Sequence, residues 1–239
     1  MLKLHDEYIL DICLFVWYNE RKRGKIMPTE NAYKIRTQNP DLSLRVAKGH
    51  FATSHSHINY YIDVTMWKSR LSEASAIARE LVSYYAASTM VDTILCLDGT
   101  EVIGTCLANE LTQNGFISIN AHRTIYVVTP EYTTGSQLIF RDNIAPMIQG
   151  KHVLVLAASV ATGKTVKSAA EAIRYYGGQV AGVCSIFSTV EQYEGYEIRS
   201  VFNPKDLEGY ANYSSHECPL CRAGQKIDGL VNSFGFSKL

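Results

Sequence analysis

The amino-acid sequence predicts an α/β fold: a mostly parallel sheet, doubly wound, with helices on both faces. Three observations carry that prediction. Short, nearly continuous apolar runs recur from residue 93 onward, as strands buried on both faces require. Stretches with helical apolar periodicity separate them. Two of the runs end in glycine-containing turns that lead into helices, where sheets of this class hold ligands.

The elements follow in order. Residues 6–22 place Ile9, Leu10, Cys13, Leu14, Val16 and Trp17 on one helical stripe. It ends in Arg21-Lys22-Arg23-Gly24, read as a helix C-terminus whose cations offset the dipole. Residues 25–60 read as irregular and polar. A helix is expected over 72–87, on Ala74, Ile77, Ala78, Leu81, Val82 and Tyr85. Residues 93–98 form the first apolar run, broken by Gly99, and a helix follows over 102–111. Residues 124–129 are the second run, stopped by Pro130, and residues 152–158 the third. A helix over 164–176 is closed by Gly177-Gly178. Residues 179–187 are the fourth run and 196–202 the fifth.

Composition excludes several classes. Hydrophobic residues make up 46% and charged residues 19% of the 239, a globular balance. Lys plus Arg number 23 and Asp plus Glu 23. A net charge of zero gives no bulk attraction to nucleic acid or to an anionic membrane, so any phosphate site must be local. No run approaches the ~18 apolar residues of a membrane span. The greasy stretch 8–18 is interrupted by Asp11 and lacks a cleavage site, so no signal peptide is expected. Of six cysteines, Cys13, Cys96, Cys106 and Cys184 lie inside apolar runs, as the reduced core thiols of a cytoplasmic protein do.

The turn after the third run is Ala161-Thr162-Gly163-Lys164-Thr165. Amides at a helix start, a glycine and two hydroxyls make an anion cradle, and Lys164 adds a charge. The plain alternative is a tight turn with a capping threonine. The string from Ala158 to Gly163-Lys164-Thr165 also fits a Walker A loop loosely, with alanine for the first glycine. No strand ending in aspartate follows to hold magnesium, since residues 179–187 lead into Ser188, so a P-loop nucleotide-binding protein is the remote alternative.

A larger resemblance spans roughly residues 49–190. The segment 153–165 is similar to the phosphoribosyl-diphosphate motif of type I phosphoribosyltransferases. Gly99-Thr100-Glu101-Val102-Ile103-Gly104 resembles that family's pyrophosphate loop. Gly49-His50-Phe51, Ser54 and Tyr60-Tyr61-Ile62-Asp63 resemble the signature of its orotate branch. The resemblance implies an α/β core over roughly 61–202 and a cap from roughly 1–60 and 203–239, in one domain. It implies that Ala161–Thr165 bind a ribose 5′-phosphate and that Gly99, Thr100, Glu101 and Gly104 belong to the pyrophosphate loop. The implied ligand is phosphoribosyl diphosphate or a nucleotide with Mg2+, and the implied assembly a homodimer. The implied reaction transfers phosphoribosyl to a nitrogenous base.

The chain departs from the family where the chemistry concentrates. Ala157 and Ala158 stand where the family carries two acids, and alanine neither accepts a hydrogen bond from a ribose hydroxyl nor ligates magnesium. Residues 128–135, matching the mobile basic loop, contain no basic residue, and Glu131 has the opposite sign. His55 replaces a glycine. Two readings follow. One is a transferase whose missing groups come from elsewhere, with Asp98, Glu101, Arg123 and Arg141 as candidates by position. The other is a non-catalytic nucleotide- or phosphoribosyl-diphosphate-binding regulator, favoured by the residue chemistry where orotate is concerned.

At the C-terminus, Cys218-Pro219-Leu220-Cys221 has the spacing of a zinc knuckle. Zn2+ would need two more ligands: His216, His55 and His57 brought near by folding, or a second subunit. Free thiols and a redox disulfide are the other readings. The tail 227–239 reads as a packed extension in which Phe234 and Phe236 cover an apolar surface. His122 and His152 precede strands as edge residues, and the tyrosine pairs 60–61, 84–85 and 175–176 are expected to span a buried and a wet face.

Overall fold

The computed structural model describes residues 32–36, 42–54, 56–113, 118–121, 124–135, 137–232 and 235–239. The expected helix over 6–22, Cys13, the basic cluster 21–24, His55, His122, Arg123 and Phe234 lie outside the described residues.

The main sheet uses β4 (Thr93–Cys96), β5 (Tyr126–Val128), β8 (His152–Val160), β9 (Gln179–Ser188), β10 (Gln192–Tyr193) and β11 (Tyr196–Phe202). Its order is β10-β11-β9-β8-β4-β5, parallel except for the short edge strand β10. The helices on this sheet are α2 (Leu71–Tyr85), α3 (Glu101–Gln113) and α4 (Lys164–Tyr175). Numbered along the chain, the parallel strands run 2-1-3-4-5, so the order reverses between β4 and β8.

Both faces are covered, which explains the continuous apolar runs. Along β8, Leu154, Leu156 and Ala158 join the cluster that includes Ile77 and Leu81 of α2 and Leu107 of α3. Val153, Val155 and Ala157 point the other way, into a cluster with Val166, Ala169 and Ile173 of α4. Period-2 alternation on two apolar layers leaves no polar position between Val153 and Ala158.

The segment 25–60, expected to be irregular, is corrected by the structure. It contains β1 (Ala32–Arg36) and β2 (Ser43–Ala52), and it runs into β3 (His57–Asp63), all paired antiparallel. Leu44, Val46 and Tyr60 are buried against the main core, while Arg45, Lys48 and Asn59 alternate on less buried positions. A bulge between Lys48 and Phe51 breaks that alternation, so the pattern is hard to see in sequence. This second sheet is completed from the other end of the chain by β12 (Asn212–Tyr213), β13 (Gly229–Asn232) and β14 (Gly235–Lys238), in the order β12-β3-β2-β13-β14. A five-residue helix, α1 (Thr65–Ser69), joins β3 to α2, and a four-residue helix, α5 (Pro219–Arg222), carries the second cysteine of the C-terminal pair.

The tyrosine expectation holds for two pairs. Tyr84 and Tyr175 are exposed, while Tyr85 is buried and donates its hydroxyl to the Val183 carbonyl at 2.9 Å. Tyr60 and Tyr61 differ: both are buried, one against the main core and one in a small cluster with Phe51 and Ala47, because β3 is sandwiched. Cys96, Cys106 and Cys184 are buried free thiols. Among the described residues no helix is long and apolar enough to cross a membrane.

Candidate functional site

The turns after β4 and β8 flank the point where the strand order reverses, and both open into one cleft of about 1790 Å³. Sheets of this type place ligands in that crevice. Its floor is formed by residues 96–99, Glu101 and residues 158–165. The second sheet adds Thr53, Ser54, Ser56 and Tyr61 from its β2–β3 side and Val231, Asn232 and Gly235 from its C-terminal side.

At the β8 turn, Ala161, Thr162, Gly163, Lys164 and Thr165 all line the cleft. Gly163 is the N-cap of α4 with φ 77, and no side chain caps the helix. The capping-threonine alternative is therefore not realised, and the first amides of α4 have no partner within the helix. The turn is braced from behind: Thr189 Oγ1 donates to the Ala161 carbonyl at 2.6 Å, and the Thr189 amide donates to Val160 at 2.9 Å. A β-carbon on Gly163 would lie 2.0 Å from Cδ2 of Tyr193, so this glycine makes room for a ring of its own protein.

The β4 turn has Asp98 and Gly99 both in the left-handed region, at φ 58 and 77. Gly99 and Glu101 line the cleft. Thr100 does not. Its buried hydroxyl donates to the carbonyls of Leu97 at 2.8 Å and Leu156 at 3.1 Å, tying the turn to the neighbouring strand. Gly104 is also away from the cleft, within α3, where a β-carbon would meet Cys96 Sγ at 2.3 Å; it lets the helix lie close on β4. Of the residues expected in the pyrophosphate loop, Gly99 and Glu101 thus border the cleft, while the Thr100 hydroxyl and Gly104 pack within the protein.

Lys68 is the cation that sequence reasoning missed. It sits on α1, lines the cleft, and donates from Nζ to the Asp98 carbonyl at 2.7 Å. Burial pulls its pKa down, opposed by the charges of Asp98, Glu101 and Asp63. Burial pushes the Asp98 carboxyl up, opposed by Lys68 and by a hydrogen bond from the Ala158 amide. The Asp98 carboxylate therefore reaches the end of β8, beside the alanines. Ala157 is enclosed in an apolar cluster, whereas Ala158 borders the cleft. Of the other position candidates, Arg141 is outside the cleft wall and forms a bidentate ion pair with Glu131, with Nη2 at 2.6 Å. The stretch 128–135 includes β6 (Glu131–Tyr132), which pairs with β7 (Leu138–Ile139) in a hairpin whose Tyr132 and Leu138 face the cleft.

The C-terminal cysteines lie at a second place. Cys218, Cys221, His50 and His57 form a His/Cys cluster that could hold a metal, with all four ligand atoms within 4.8 Å of one another. His50 Nε2 is 3.0 Å from His57 Nδ1, 3.5 Å from Cys218 Sγ and 3.6 Å from Cys221 Sγ; His57 Nδ1 is 3.3 Å from Cys221 Sγ. The completing pair thus comes from β2 and β3 of the same chain. His216 is not part of the cluster, and His50 was not among the expected ligands.

Comparison with known proteins bears on this geometry. No protein-family model matches the chain. An orotate phosphoribosyltransferase of Chlorobaculum parvum is 29% identical over 185 residues, covering 75% of this chain and 86% of the relative. One from Caldanaerobacter subterraneus subsp. tengcongensis is 27% identical over 182 residues, covering 75% and 86%. Among solved structures, an orotate phosphoribosyltransferase of Mycobacterium tuberculosis aligns with a TM-score of 0.49 at 19% identity, over 69% of this chain and 92% of that one. In sequence the chain is similar to enzymes of the type I phosphoribosyltransferase class. Within that class the similarity is a distant one, to orotate phosphoribosyltransferases.

Proposed function

We propose that the chain binds the phosphoribosyl group of phosphoribosyl diphosphate, or of a nucleotide, in the cleft between the two turns. The observation that carries this reading is that both turns open into one cleft at the point of strand-order reversal. The 5′-phosphate would sit on the amides and hydroxyls of 161–165, at the start of α4. Lys68 and Gly99 would receive the diphosphate. Mg2+ would arrive with that diphosphate, which supplies most of its oxygens; Asp98 and Glu101 are the cleft carboxylates of the β4 turn that could complete its shell. Zn2+ is the ion that suits the separate His/Cys cluster.

With alanine at 157 and 158, ribose hydroxyls and magnesium lose two carboxylates, and losing one electrostatic group alone costs ~10²–10³ in rate. The reading therefore includes weak or absent orotate transfer, so a regulator or binding protein is the second form of the same site. The test is pyrophosphate release from phosphoribosyl diphosphate and Mg2+ with orotate and other bases. The expected result is saturable binding of phosphoribosyl diphosphate with turnover on orotate far below the usual range of ~1–10³ per second. Turnover within that range would show that other acids act, and absence of binding would overturn the reading.

A further inference from the structure

We infer that His50 Nε2, His57 Nδ1, Cys218 Sγ and Cys221 Sγ bind one structural Zn2+ that fastens the C-terminal hairpin β13–β14 to the second sheet and so fixes one wall of the cleft. The role assigned to that wall rests on the proposed phosphoribosyl site; the metal site does not.

Geometry is the first support. Tetrahedral zinc lies about 2.3 Å from sulfur and about 2.0–2.1 Å from nitrogen, which sets its ligand atoms about 3.3–3.8 Å apart. Three of the separations, 3.3, 3.5 and 3.6 Å, fall within that range, and the 3.0 Å between the two ring nitrogens lies just below it. A hydrogen bond draws two atoms together; here four converge on one point, with His50 and Cys218 fully buried.

The second support is the outer shell. His50 Nδ1 lies 2.9 Å from the Gln225 carbonyl, which can only accept. That bond puts the ring proton on Nδ1 and leaves the Nε2 lone pair facing the cluster, the arrangement that orients metal-bound histidine. The backbone of the same residue is clamped as well. The His50 amide donates to Asp228 Oδ2 at 2.7 Å, and the Asp228 amide donates to the His50 carbonyl at 2.7 Å.

The third support is what the site holds together. β13 joins β2 through only two register pairs, Gly229 with Phe51 and Leu230 with Ala52. Beneath it lies a small apolar cluster in which Phe236 meets Phe51 and Tyr61 at ring separations of 5.8 and 5.4 Å. This modest attachment carries Val231, Asn232 and Gly235, which face the cleft. His50 and His57 also bracket the β2–β3 turn, whose Thr53, Ser54 and Ser56 face the cleft. One ion therefore ties two strands of cleft wall to the chain's C-terminal segment.

The experiment uses the full chain. Metal analysis of protein purified without chelator should give one Zn2+ per chain. Cobalt substitution should show the visible absorption of a tetrahedral thiolate site. Cys221→Ser, at an exposed position, should lower zinc retention, and Cys221→His should restore it. With EDTA, amide exchange in 229–232 and 235–238 should accelerate about tenfold or more, while β8 and β9 stay protected. A metal-free chain with both thiols alkylatable, or with a Cys218–Cys221 disulfide in place of zinc, would overturn the site. Zinc at one per chain with hairpin exchange indifferent to EDTA would overturn the fastening role. Neither outcome depends on whether ribose 5-phosphate binds.

Discussion

The two turns at the strand-order reversal share one plan, strand–glycine–helix, and direct their threonine hydroxyls in opposite directions. At the β4 turn the threonine hydroxyl is buried on two carbonyls, and the cleft receives charge: Lys68, Glu101 and the partly buried Asp98. At the β8 turn the bracing comes from behind, through Thr189, and Thr162, Lys164 and Thr165 face the cleft. The difference shows that matching a turn to a motif does not say which of its side chains a ligand meets. A hydroxyl that satisfies a neighbouring strand is structural, wherever the motif places it.

The largest expected effect comes from Gly163→Ala. Its φ of 77 disfavours any side chain, and the new methyl would collide with Tyr193. We expect a loss of about 1–3 kcal/mol in urea denaturation, together with loss of ribose 5-phosphate binding. Adding Tyr193→Ala should relieve the collision and recover part of that stability. Full stability in Gly163→Ala alone would mean that the turn is not held as described.

A finer contrast pairs Thr100→Ala with Thr162→Ala. The first removes a buried hydroxyl with two acceptors and should cost about 1–2 kcal/mol of stability. Its affinity for ribose 5-phosphate should stay within about twofold of the parent, a shift under ~0.5 kcal/mol. The second should leave stability within about 0.5 kcal/mol and weaken ribose 5-phosphate by about tenfold, the size of one hydrogen bond to a charged group. Denaturation curves and calorimetric titration of both variants check the pair; matching behaviour would erase the contrast between the turns.

Sequence reasoning reached the parallel core because covered faces leave continuous apolar runs. The fifth run coincides with β11, and the run 179–187 falls one residue short of β9. It failed on β2 and β3, where half-buried alternation is broken by the bulge after Lys48. The cysteine spacing was visible, but His50 is 168 residues from Cys218 and reaches it only because β13 returns beside β2. Lys68 lies on a five-residue helix too short to show a period, so nothing in the local pattern marks it. The inward turn of Thr100 depends on β8 lying next to β4, a contact between residues 56 positions apart.

The central claim is that the β8 turn receives the 5′-phosphate of a ribosyl ligand. Titrating the isotope-labelled chain with ribose 5-phosphate and following backbone amide resonances tests it most directly. The account predicts saturable shifts centred on Thr162, Gly163, Lys164 and Thr165, with residues 97–101 responding further when phosphoribosyl diphosphate and Mg2+ replace it. Saturable shifts confined to another part of the molecule, or no response at 161–165 at saturating ligand, would contradict it.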